Sequence, residues 1–545
     1  MYSDKQLIVL MAGKGTRLYP LTLTTPKCLL SIKQKPAIYN MIVPLVKKGL
    51  RDITFVVNND NKNILESFME NSFPNLNITF NYVIQNDFNG PGEALRLTRK
   101  YINKKVILLL GDTLVTYPTD YSKSFIAVQR VKNEEKQKYC IVECNSNQAI
   151  TKLLNKPTNC IESDKAAIGL YYFDNYNLLK KILNRKIVKE TGEIELSDYF
   201  FKYMEKEKVY VKEVYDWQDI GNLESYRNAI NNNFNCRNFN SLYLDELSVL
   251  HKKSTYEKVK SEIKWFKEIE HTDYDKLTPK FYYNNLFENE YAIEFYDYLT
   301  LNEYFTFYPL YSFNKEYIFE KLFNKLNSIY LKNKIYSLSF KDFMNEMLIN
   351  KTKKRLFDWD RKDLIESEYI QINDKKYFGI KNVLKKLESR IEKICNESID
   401  YISIIHGDPA FSNILFSPRS MIYKLIDPRG NFCVDTMYGD YRYDIAKLRH
   451  CYHGRYDEII NDLFTVSNEK CKIELKFFKD NEFEIYDKIL TKNKININDI
   501  EIIEGLFFIS MIPLHSENKE HQLAFFAQGI KMLNNQLEED FYDID

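Results

Sequence analysis

Leu7-Ile-Val-Leu-Met11 runs directly into Ala12-Gly-Lys-Gly-Thr-Arg17-Leu-Tyr-Pro-Leu-Thr22, and Thr25-Pro-Lys27 follows. A short apolar run of this kind predicts a buried strand. Glycines placed directly after a strand let backbone N–H groups approach a phosphate, because glycine has no Cβ to hold the anion away. The segment therefore predicts a strand and an anion-binding turn, to which Arg17 and Lys27 add positive charge. It is neither a dinucleotide fingerprint nor a P-loop, since the later glycine and the Gly-Lys-Ser/Thr ending are both missing.

Similar apolar runs recur through the first part of the chain. They cover residues 53–57, 78–84, 106–110 and 167–173, and amphipathic stretches lie between them. This alternation predicts an α/β fold with a mainly parallel sheet for residues 1–230. The Asn-rich segment 231–240 predicts a linker, and residues 241–545 then form a second domain.

Composition excludes several classes of function. A chain of 545 residues exceeds what one core normally serves, so two domains are expected. The 77 basic and 76 acidic residues nearly cancel, which gives no electrostatic case for binding nucleic acid or a membrane. The nine cysteines show no metal-ligand spacing, and residues 505–514, the longest later apolar run, are too few to span a bilayer. We expect a cytoplasmic enzyme with small-molecule substrates, and a homo-oligomer is left open.

The glycine-rich segment also resembles the signature of the sugar-phosphate nucleotidyltransferases, in which Gly-x-Gly-Thr-Arg-Leu-x-Pro-Leu-Thr is followed by Pro-Lys. Further motifs agree in order, namely Gly111-Asp112, Lys156-Pro157, Gly192-Glu-Ile-Glu195-Leu and Trp217-Gln-Asp219-Ile-Gly221. The resemblance covers almost all of residues 5–228 and implies a Rossmann-like domain that transfers a nucleotidyl group to a phosphorylated metabolite.

The resemblance also implies roles for individual residues. Arg17 and Lys27 stabilise the triphosphate and the leaving pyrophosphate, and Asp112 and Asp219 hold Mg²⁺. The nucleotide is bound by Ala12, Gly13, Gly15, Thr16, Gln85 and Gly90. The acceptor is bound by Cys140, Asn155, Lys156, Gly169 and Glu195.

Two departures from the family pattern concern the acceptor. Members that use hexose 1-phosphates commonly have Tyr-Gly where this chain has Tyr139-Cys140, and Glu-Lys-Pro where it has Asn155-Lys156-Pro157. A side chain in place of glycine narrows the pocket, and an amide in place of a carboxylate removes a strong acceptor for hydroxyl groups. The acceptor is accordingly an unusual sugar, a polyol or a non-sugar. Gln85 favours a pyrimidine nucleoside triphosphate, by the same resemblance.

A second set of polar residues follows two apolar runs in the C-terminal half. His406-Gly-Asp408 comes after one run, Asn413 lies five residues beyond Asp408, and Asp427-Pro-Arg-Gly430 ends the next run. Phosphoryl transfer from ATP needs one carboxylate to orient a hydroxyl and accept its proton, and it needs an amide and a second carboxylate to hold Mg²⁺. The spacing predicts this chemistry for Asp408, Asn413 and Asp427. An isolated histidine such as His406 is more often hydrogen-bonded than catalytic.

These motifs resemble the aminoglycoside phosphotransferase and choline kinase group of small-molecule kinases. The resemblance implies a two-lobed, protein-kinase-like α+β domain, with a small lobe at about 241–300 and a helical lobe at about 301–545. It pairs Lys253 with Glu262 to hold ATP, although either of the adjacent lysines Lys252 and Lys253 could serve, and it makes Asp444 a structural brace. The small lobe lacks a glycine-rich loop.

The leading hypothesis is a bifunctional enzyme. In it, the C-terminal part phosphorylates a small hydroxyl compound, in the first instance a sugar, and the N-terminal part couples the phosphate to a nucleoside triphosphate for surface glycan or capsule synthesis. One alternative is a choline or polyol kinase joined to a cytidylyltransferase. Another is a nucleotidyltransferase with a non-catalytic kinase-like module for binding or oligomerisation.

Overall fold

The computed structural model describes residues 2–87, 89–159, 161–188, 193–232, 241–247, 249–254, 256–283, 289–308, 312–432, 436–480 and 484–537. The chain divides into two compact units, Met1–Phe234 and Asn235–Asp545. Residues 233–240 of the predicted linker lie outside the described part, and so does Gly192 of the Gly192-Glu-Ile-Glu195-Leu motif.

The first unit alternates strands and helices. Its strands are β1 (Lys5–Leu10), β2 (Ser31–Ile32), β3 (Lys35–Pro36), β4 (Asp52–Val57), β5 (Thr79–Ile84), β6 (Lys105–Leu110), β7 (Thr113–Leu114), β8 (Phe125–Arg130), β9 (Cys140–Cys144), β10 (Ile150–Asn155), β11 (Lys165–Phe173), β12 (Tyr210–Glu213) and β13 (Gln218–Asp219). Its helices are α1 (Ala37–Lys47), α2 (Asn59–Ser72), α3 (Pro91–Leu97), α4 (Tyr176–Leu183), α5 (Leu196–Met204) and α6 (Leu223–Asn232).

A mixed sheet forms the centre of this unit. Within the described residues it has nine strands, and its main path runs β10-β9-β11-β6-β1-β4-β5. Strands β6, β1, β4 and β5 are parallel, whereas β11 runs antiparallel to β6. Every apolar run predicted to be a strand is one, and β1 is buried along its whole length because it lies in the middle of the sheet. The α/β prediction for this region is confirmed.

The parallel register brings two loops together. Leu10 at the end of β1 pairs with Leu110 at the end of β6, and the Gly111 N–H donates to the Leu10 carbonyl at 2.8 Å. The glycine-rich turn after β1 and Asp112 after β6 therefore lie side by side. In open α/β sheets, ligands bind at the carboxyl ends of the strands, and the predicted nucleotide site lies at this edge.

The second unit begins with strands and continues with many helices. Its strands are β14 (Ser241–Leu244), β15 (Val249–Lys253), β16 (Phe281–Tyr282), β17 (Glu290–Glu294), β18 (Leu299–Thr300), β19 (Tyr369–Ile372), β20 (Lys375–Phe378), β21 (Ile402–Ile404), β22 (Ile414–Ser417), β23 (Ile422–Leu425), β24 (Tyr438–Asp440), β25 (Phe464–Glu469) and β26 (Lys472–Phe477). Its helices are α7 (Tyr256–Ile269), α8 (Leu301–Phe307), α9 (Ser312–Lys332), α10 (Lys351–Phe357), α11 (Lys362–Glu366), α12 (Ile380–Lys386), α13 (Glu388–Asn396), α14 (Tyr441–Tyr452), α15 (Tyr456–Ile460), α16 (Glu484–Lys492), α17 (Ile497–Met511) and α18 (Lys519–Asn535).

The N-terminal part of this unit is an antiparallel sheet in the order β14-β15-β17-β16, with α7 connecting β15 to β16. The hairpin β22–β23 pairs with β18, and α17 is buried along most of its length in the helical core. None of the described helices is long and apolar enough to cross a membrane.

The expectation of a largely helical region after residue 300 is incomplete. A four-stranded sheet in the order β20-β19-β26-β25 lies within it. The β19–β20 hairpin turns at Asn373-Asp374, where Asn373 takes the left-handed conformation at φ 53°. Asparagine tolerates this conformation, and the Asn-Asp pair is the turn signal that reveals the hairpin.

Gly169 provides a test of packing beneath the first site. Its φ is +89°, and an added Cβ would lie 2.4 Å from Thr113 Oγ1. Gly169→Ala should lower the free energy of unfolding of the first unit by about 1–3 kcal/mol, because strain and a steric clash act together. Gly13→Ala is the matched control, since a Cβ at Gly13 meets no atom within 4 Å. Equal thermal stability of the two variants would contradict this packing.

Candidate functional site

The turn after β1 is held open by two hydrogen bonds. Gly15 takes the left-handed conformation at φ 66°, and its carbonyl accepts from Thr22 Oγ1 at 2.7 Å. Asn58, the residue before α2, donates from Nδ2 to the Ala12 carbonyl at 3.0 Å. Gly13 remains exposed between these anchors. Sequence reasoning missed Asn58, although its position directly after β4 is a signal for the N-cap of α2.

Four charged residues, Lys27, Arg17, Asp112 and Asp219, meet near this turn. Lys27 Nζ lies 2.8 Å from Asp112 Oδ2. Asp112 and Asp219 are brought together by the short ladder in which Thr113 pairs with Asp219, and the Ile220 N–H donates to the Asp112 carbonyl at 3.1 Å. Burial and the adjacent Asp112 carboxylate raise the pKa of Asp219, although Lys27 and Arg17 act in the opposite direction. The structure thus brings Lys27, Asp112, Asp219 and Arg17 together.

Asp112 and Asp219 have the donor chemistry that suits Mg²⁺, which binds through one or two carboxylates together with substrate phosphates. Burial and, after it, the charge of Asp112 raise the pKa of Asp219, and a divalent cation bound here would relieve both costs. The residues present therefore fit the expected metal.

Gln85 and Gly90, which are predicted to contact the base of the nucleotide, also lie together. Gln85 is buried, and its Nε2 donates to the Gly90 carbonyl at 3.0 Å. Gly90 has φ 92°, and a Cβ there would lie 2.5 Å from the Ile194 carbonyl oxygen. The segment before α5 therefore closes over the turn that precedes α3.

The acceptor-side residues lie on β9, β10 and the start of α5. Asn155 pairs with Cys140 in the β9–β10 ladder, and its Nδ2 donates to Ser197 Oγ at 3.0 Å. Burial, and after it the charge of Glu195, raises the pKa of the Cys140 thiol to about 12. The thiol is therefore protonated at neutral pH and acts as an uncharged side chain in the packing of the pocket. Lys156 follows with an exposed side chain. The structure brings Cys140, Asn155 and Glu195 together.

Tyr139 is a further residue that sequence reasoning did not assign. Its ring makes an edge contact with Trp217 at a centroid distance of 5.1 Å. Burial raises the pKa of Tyr139 to about 12, and Asp219 and Asp112 contribute to the shift. The phenol therefore lies near both carboxylates.

In the second unit a buried lysine lies between two carboxylates. Lys252 Nζ is 2.8 Å from Glu262 Oε2 and 2.9 Å from Asp427 Oδ1, and only 3% of its side chain is exposed. Tyr291 Oη donates to Glu262 at 2.8 Å. Although burial lowers the pKa of Lys252, Asp427 and Glu262 outweigh it and raise that pKa above its usual value. The ammonium group is charged.

Of the two adjacent lysines that the sequence left open, the structure pairs Lys252 with Glu262, and not Lys253, which the prediction favoured. Successive side chains of a strand point to opposite faces. Lys252 pairs with Tyr291 across the β15–β17 ladder and is buried, whereas Lys253 is exposed. Glu262 on α7 meets the inward-facing lysine.

Asp408, Asn413 and Asp427 come from two loops that are hydrogen-bonded to each other. The Arg429 N–H donates to the His406 carbonyl at 2.9 Å, and the Ile426 N–H donates to the Asn413 carbonyl at 2.9 Å. Asn413 Nδ2 donates to the Asp408 carbonyl at 2.9 Å, which fixes the orientation of the amide. The amide oxygen of Asn413 and the carboxylate of Asp427 are hard oxygen donors that suit Mg²⁺.

Asp408 is held as a carboxylate. Burial alone would raise its pKa, but Lys447, whose Nζ is 3.3 Å from Oδ1, together with His406 and Arg429, lowers the pKa to about 2. His406 is fully buried against the edge of Trp265, and burial lowers its pKa to about 4. The imidazole is neutral at pH 7 and packs beneath the loop.

Asp444 supports this loop from below. Its carboxylate accepts the His406 and Gly407 N–H groups, each at 2.8 Å, and the Tyr330 hydroxyl at 3.2 Å. All of these bonds are buried. The position agrees with a bracing role.

Comparison with known proteins concerns the first unit. Residues 6–235 match the nucleotidyl transferase family. The bifunctional protein GlmU of Methanococcus maripaludis (strain C7) is 32% identical over 219 residues, which are 39% of this chain and 51% of that protein. The glucose-1-phosphate thymidylyltransferase of Neisseria meningitidis serogroup A is 30% identical over 240 residues, 41% of this chain and 80% of that protein.

A solved structure of a UDP-glucose pyrophosphorylase complexed with UDP-glucose has a TM-score of 0.38 at 23% identity and covers 43% of this chain and 99% of that chain. The chain spans about half the length of the GlmU relatives that it matches.

The Asp444 carboxylate, which accepts two N–H groups of the Asp408 loop, provides a test of that loop. Asp444→Ala should lower the free energy of unfolding by about 1–3 kcal/mol for each buried N–H group left without an acceptor, measured by denaturant titration. Asp444→Asn keeps one acceptor oxygen and should lie between the wild type and Asp444→Ala. Asp360→Asn, at an exposed position, is the control. An Asp444→Ala variant as stable as the control would show that the loop does not depend on this carboxylate.

Proposed function

We propose that this chain, whose residues 6–235 belong to the nucleotidyl transferase family, makes nucleoside-diphosphate conjugates from a compound that its own C-terminal unit phosphorylates. The nucleotidyl transfer is supported by the meeting of Lys27 with Asp112 and Asp219 near the glycine-rich turn. The preceding phosphoryl transfer is supported by the position of Lys252 between Glu262 and Asp427.

In the nucleotidyl transfer, an oxygen of the acceptor phosphate attacks the α-phosphorus of the nucleoside triphosphate. The new P–O bond forms while the bond to the β-phosphate oxygen breaks, and pyrophosphate leaves. Arg17 and Lys27 stabilise the charge that builds on the leaving group, and the exposed Gly13 lets backbone N–H groups approach the phosphates. When bound by Asp112 and Asp219, Mg²⁺ supplies further charge neutralisation. No protein nucleophile is required.

The acceptor and the base are inferred from the pocket. Gln85, bonded to the Gly90 carbonyl, supports a pyrimidine base, in line with the thymidylyltransferase named among the relatives. Cys140, in place of a glycine, narrows the acceptor side of the pocket, and Asn155 stands where the hexose 1-phosphate members have a carboxylate. Both differences favour an unusual sugar phosphate or a polyol phosphate. The exposed Lys156 is the residue that we propose binds the phosphate of this acceptor. Surface glycan or capsule assembly is the proposed destination of the product.

In the phosphoryl transfer, the hydroxyl oxygen of the substrate attacks the γ-phosphorus of ATP. The bond between the γ-phosphorus and the bridging oxygen breaks, ADP leaves, and the hydroxyl proton passes to Asp408. Lys252 contacts the ATP phosphates, and Glu262 keeps its ammonium group in place. Asn413 and Asp427 are the residues that would hold Mg²⁺, whose contribution is to neutralise charge on the phosphates.

One observation favours the alternative of a non-catalytic module. The turn between β14 and β15 carries Asp245, whose Oδ1 accepts the N–H groups of Leu247 and Val249 at 2.9 and 2.8 Å. These N–H groups are therefore not presented to a phosphate as they would be in a glycine-rich loop. A non-catalytic module would have this fold but would not transfer a phosphoryl group from ATP.

Lys27→Ala tests the first unit. Removing this cation should slow pyrophosphate release by about a hundredfold, measured with a coupled pyrophosphate assay over a panel of sugar and polyol phosphates and all common nucleoside triphosphates. Lys62→Ala, which removes the ion pair with Glu66 on α2, should leave the rate unchanged. Full pyrophosphate release by Lys27→Ala would place the active site elsewhere.

The adjacent lysines of β15 test the second unit. Lys252→Ala should lower kcat/KM for ATP by about tenfold or more, because its ammonium group lies between Glu262 and Asp427 and is the one proposed to contact the phosphates, and Asp408→Asn should abolish turnover. Lys253→Ala should change neither value. An equal loss in the two lysine variants would contradict the site. No ATP turnover by the wild-type chain would favour the non-catalytic module.

A further inference from the structure

One ion pair joins the two kinds of group that the proposed nucleotidyl transfer uses. Lys27 Nζ lies 2.8 Å from Asp112 Oδ2, and 17% of the lysine side chain and 29% of the aspartate side chain are exposed. In that transfer the lysine stabilises the phosphates and the carboxylate holds the metal. Each member of the pair therefore has a second partner, and an ammonium group and a metal ion held at one carboxylate repel each other.

The side chain of Lys27 can move although its backbone is fixed. The Leu29 N–H donates to the Pro26 carbonyl at 2.8 Å, and the Leu30 N–H donates to the Lys27 carbonyl at 3.2 Å. Leu29 in this turn is buried. Lysine carries its ammonium group on a flexible four-carbon stem. The ammonium group can therefore leave Asp112 without a change in the backbone.

Asp112 and Asp219 are held in different ways. Asp219 Oδ1 accepts the Gly221 N–H at 2.7 Å, a bond from the backbone of its own turn. The carboxylate of Asp112 has one hydrogen-bond partner among the described residues, which is Lys27. Burial and the Asp112 charge raise the pKa of Asp219, and Lys27 opposes that shift. Lys27 thus supplies part of the positive charge that a divalent cation would supply to the two carboxylates.

The buried lysine of the second unit has a partner that Lys27 lacks. Lys252 lies 2.8 Å from Glu262 and 2.9 Å from Asp427, so Glu262 still pairs with the ammonium group when Asp427 holds a metal. Lys27 has a single ion-pair partner within the described part of the chain. A metal that takes this partner leaves Lys27 without a counter-ion, and the triphosphate is the anion that can replace it.

We propose that Lys27 is a counter-ion of Asp112 that the metal and the triphosphate displace together, with the metal taking the carboxylate as the ammonium group passes to the phosphates. This inference rests on the proposed nucleotidyl transfer and names how its site is regulated. The metal and the triphosphate then raise each other's affinity by the same factor, since coupling between two bound ligands is reciprocal. Without the triphosphate, Lys27 competes with the metal, and the chain binds the metal weakly.

Metal binding in the absence of any nucleotide tests the proposal. The full chain carries Asp427→Asn in every sample, so that the predicted metal site of the second unit does not contribute. This parent chain is titrated with Mn²⁺, and free Mn²⁺ is measured by electron paramagnetic resonance. Lys27→Met should bind Mn²⁺ about tenfold more tightly than the parent, because a competing positive charge is gone. Lys27→Arg keeps that charge at the carboxylate and should match the parent.

Two further variants separate a direct competitor from a general effect of charge. Arg17 is an exposed cation near the same carboxylates, and it has no ion pair with an acidic side chain among the described residues. Arg17→Met should therefore raise the Mn²⁺ affinity by clearly less than Lys27→Met does. Asp112→Asn, added to Lys27→Met, should abolish the gain. Circular dichroism of each variant confirms that it is folded.

Three results would overturn the proposal. They are Mn²⁺ binding by Lys27→Met that is equal to or weaker than that of the parent, a gain from Arg17→Met as large as that from Lys27→Met, and a gain that persists with Asp112→Asn. Pyrophosphate release by the wild-type chain is measured separately. A chain that shows the Mn²⁺ gain but releases no pyrophosphate would retain the counter-ion and lose the proposed nucleotidyl transfer. Release without the gain would retain the transfer and lose the counter-ion.

Discussion

The pairing of a lysine with a carboxylate that is distant in the sequence organises both candidate sites. Lys252 is almost fully buried and lies between Glu262 and Asp427, which are 10 and 175 residues away in sequence. Lys27 is paired with Asp112 across 85 residues. Because an unpaired buried charge is costly, each pair fixes the segments that contribute it. The sites therefore exist only in the folded units.

The two sites are built by different architectures. In the first unit the parallel register of β1 and β6 places the glycine-rich turn beside Asp112, and the β7–β13 ladder adds Asp219. In the second unit hydrogen bonds between neighbouring loops bring Asp408, Asn413 and Asp427 together, with Asp444 below them. Both arrangements offer carboxylates and cations at one edge of a sheet or hairpin, as chemistry on polyphosphates requires.

Motifs with close spacing were predictable from the sequence, and contacts between distant segments were not. The strand before the glycine-rich turn and the order of Asp408, Asn413 and Asp427 can be read directly. The choice between Lys252 and Lys253 depends on strand register, and a slip of one residue reverses which side chain is buried. Tyr139 lies in the Tyr139-Cys140 motif, but its contact with Trp217 joins segments that are far apart in the sequence and could not be predicted from it.

The most direct measurement follows the phosphoryl group through both steps. The full chain is incubated with Mg²⁺, ATP labelled with oxygen-18 on its γ-phosphate, unlabelled nucleoside triphosphates and unphosphorylated hydroxy acids, sugars and polyols, and the products are fragmented by mass spectrometry. The account predicts a nucleoside-diphosphate conjugate with the label in the phosphate attached to the acceptor. Conjugates that arise only from compounds supplied already phosphorylated, and that carry no label, would contradict it.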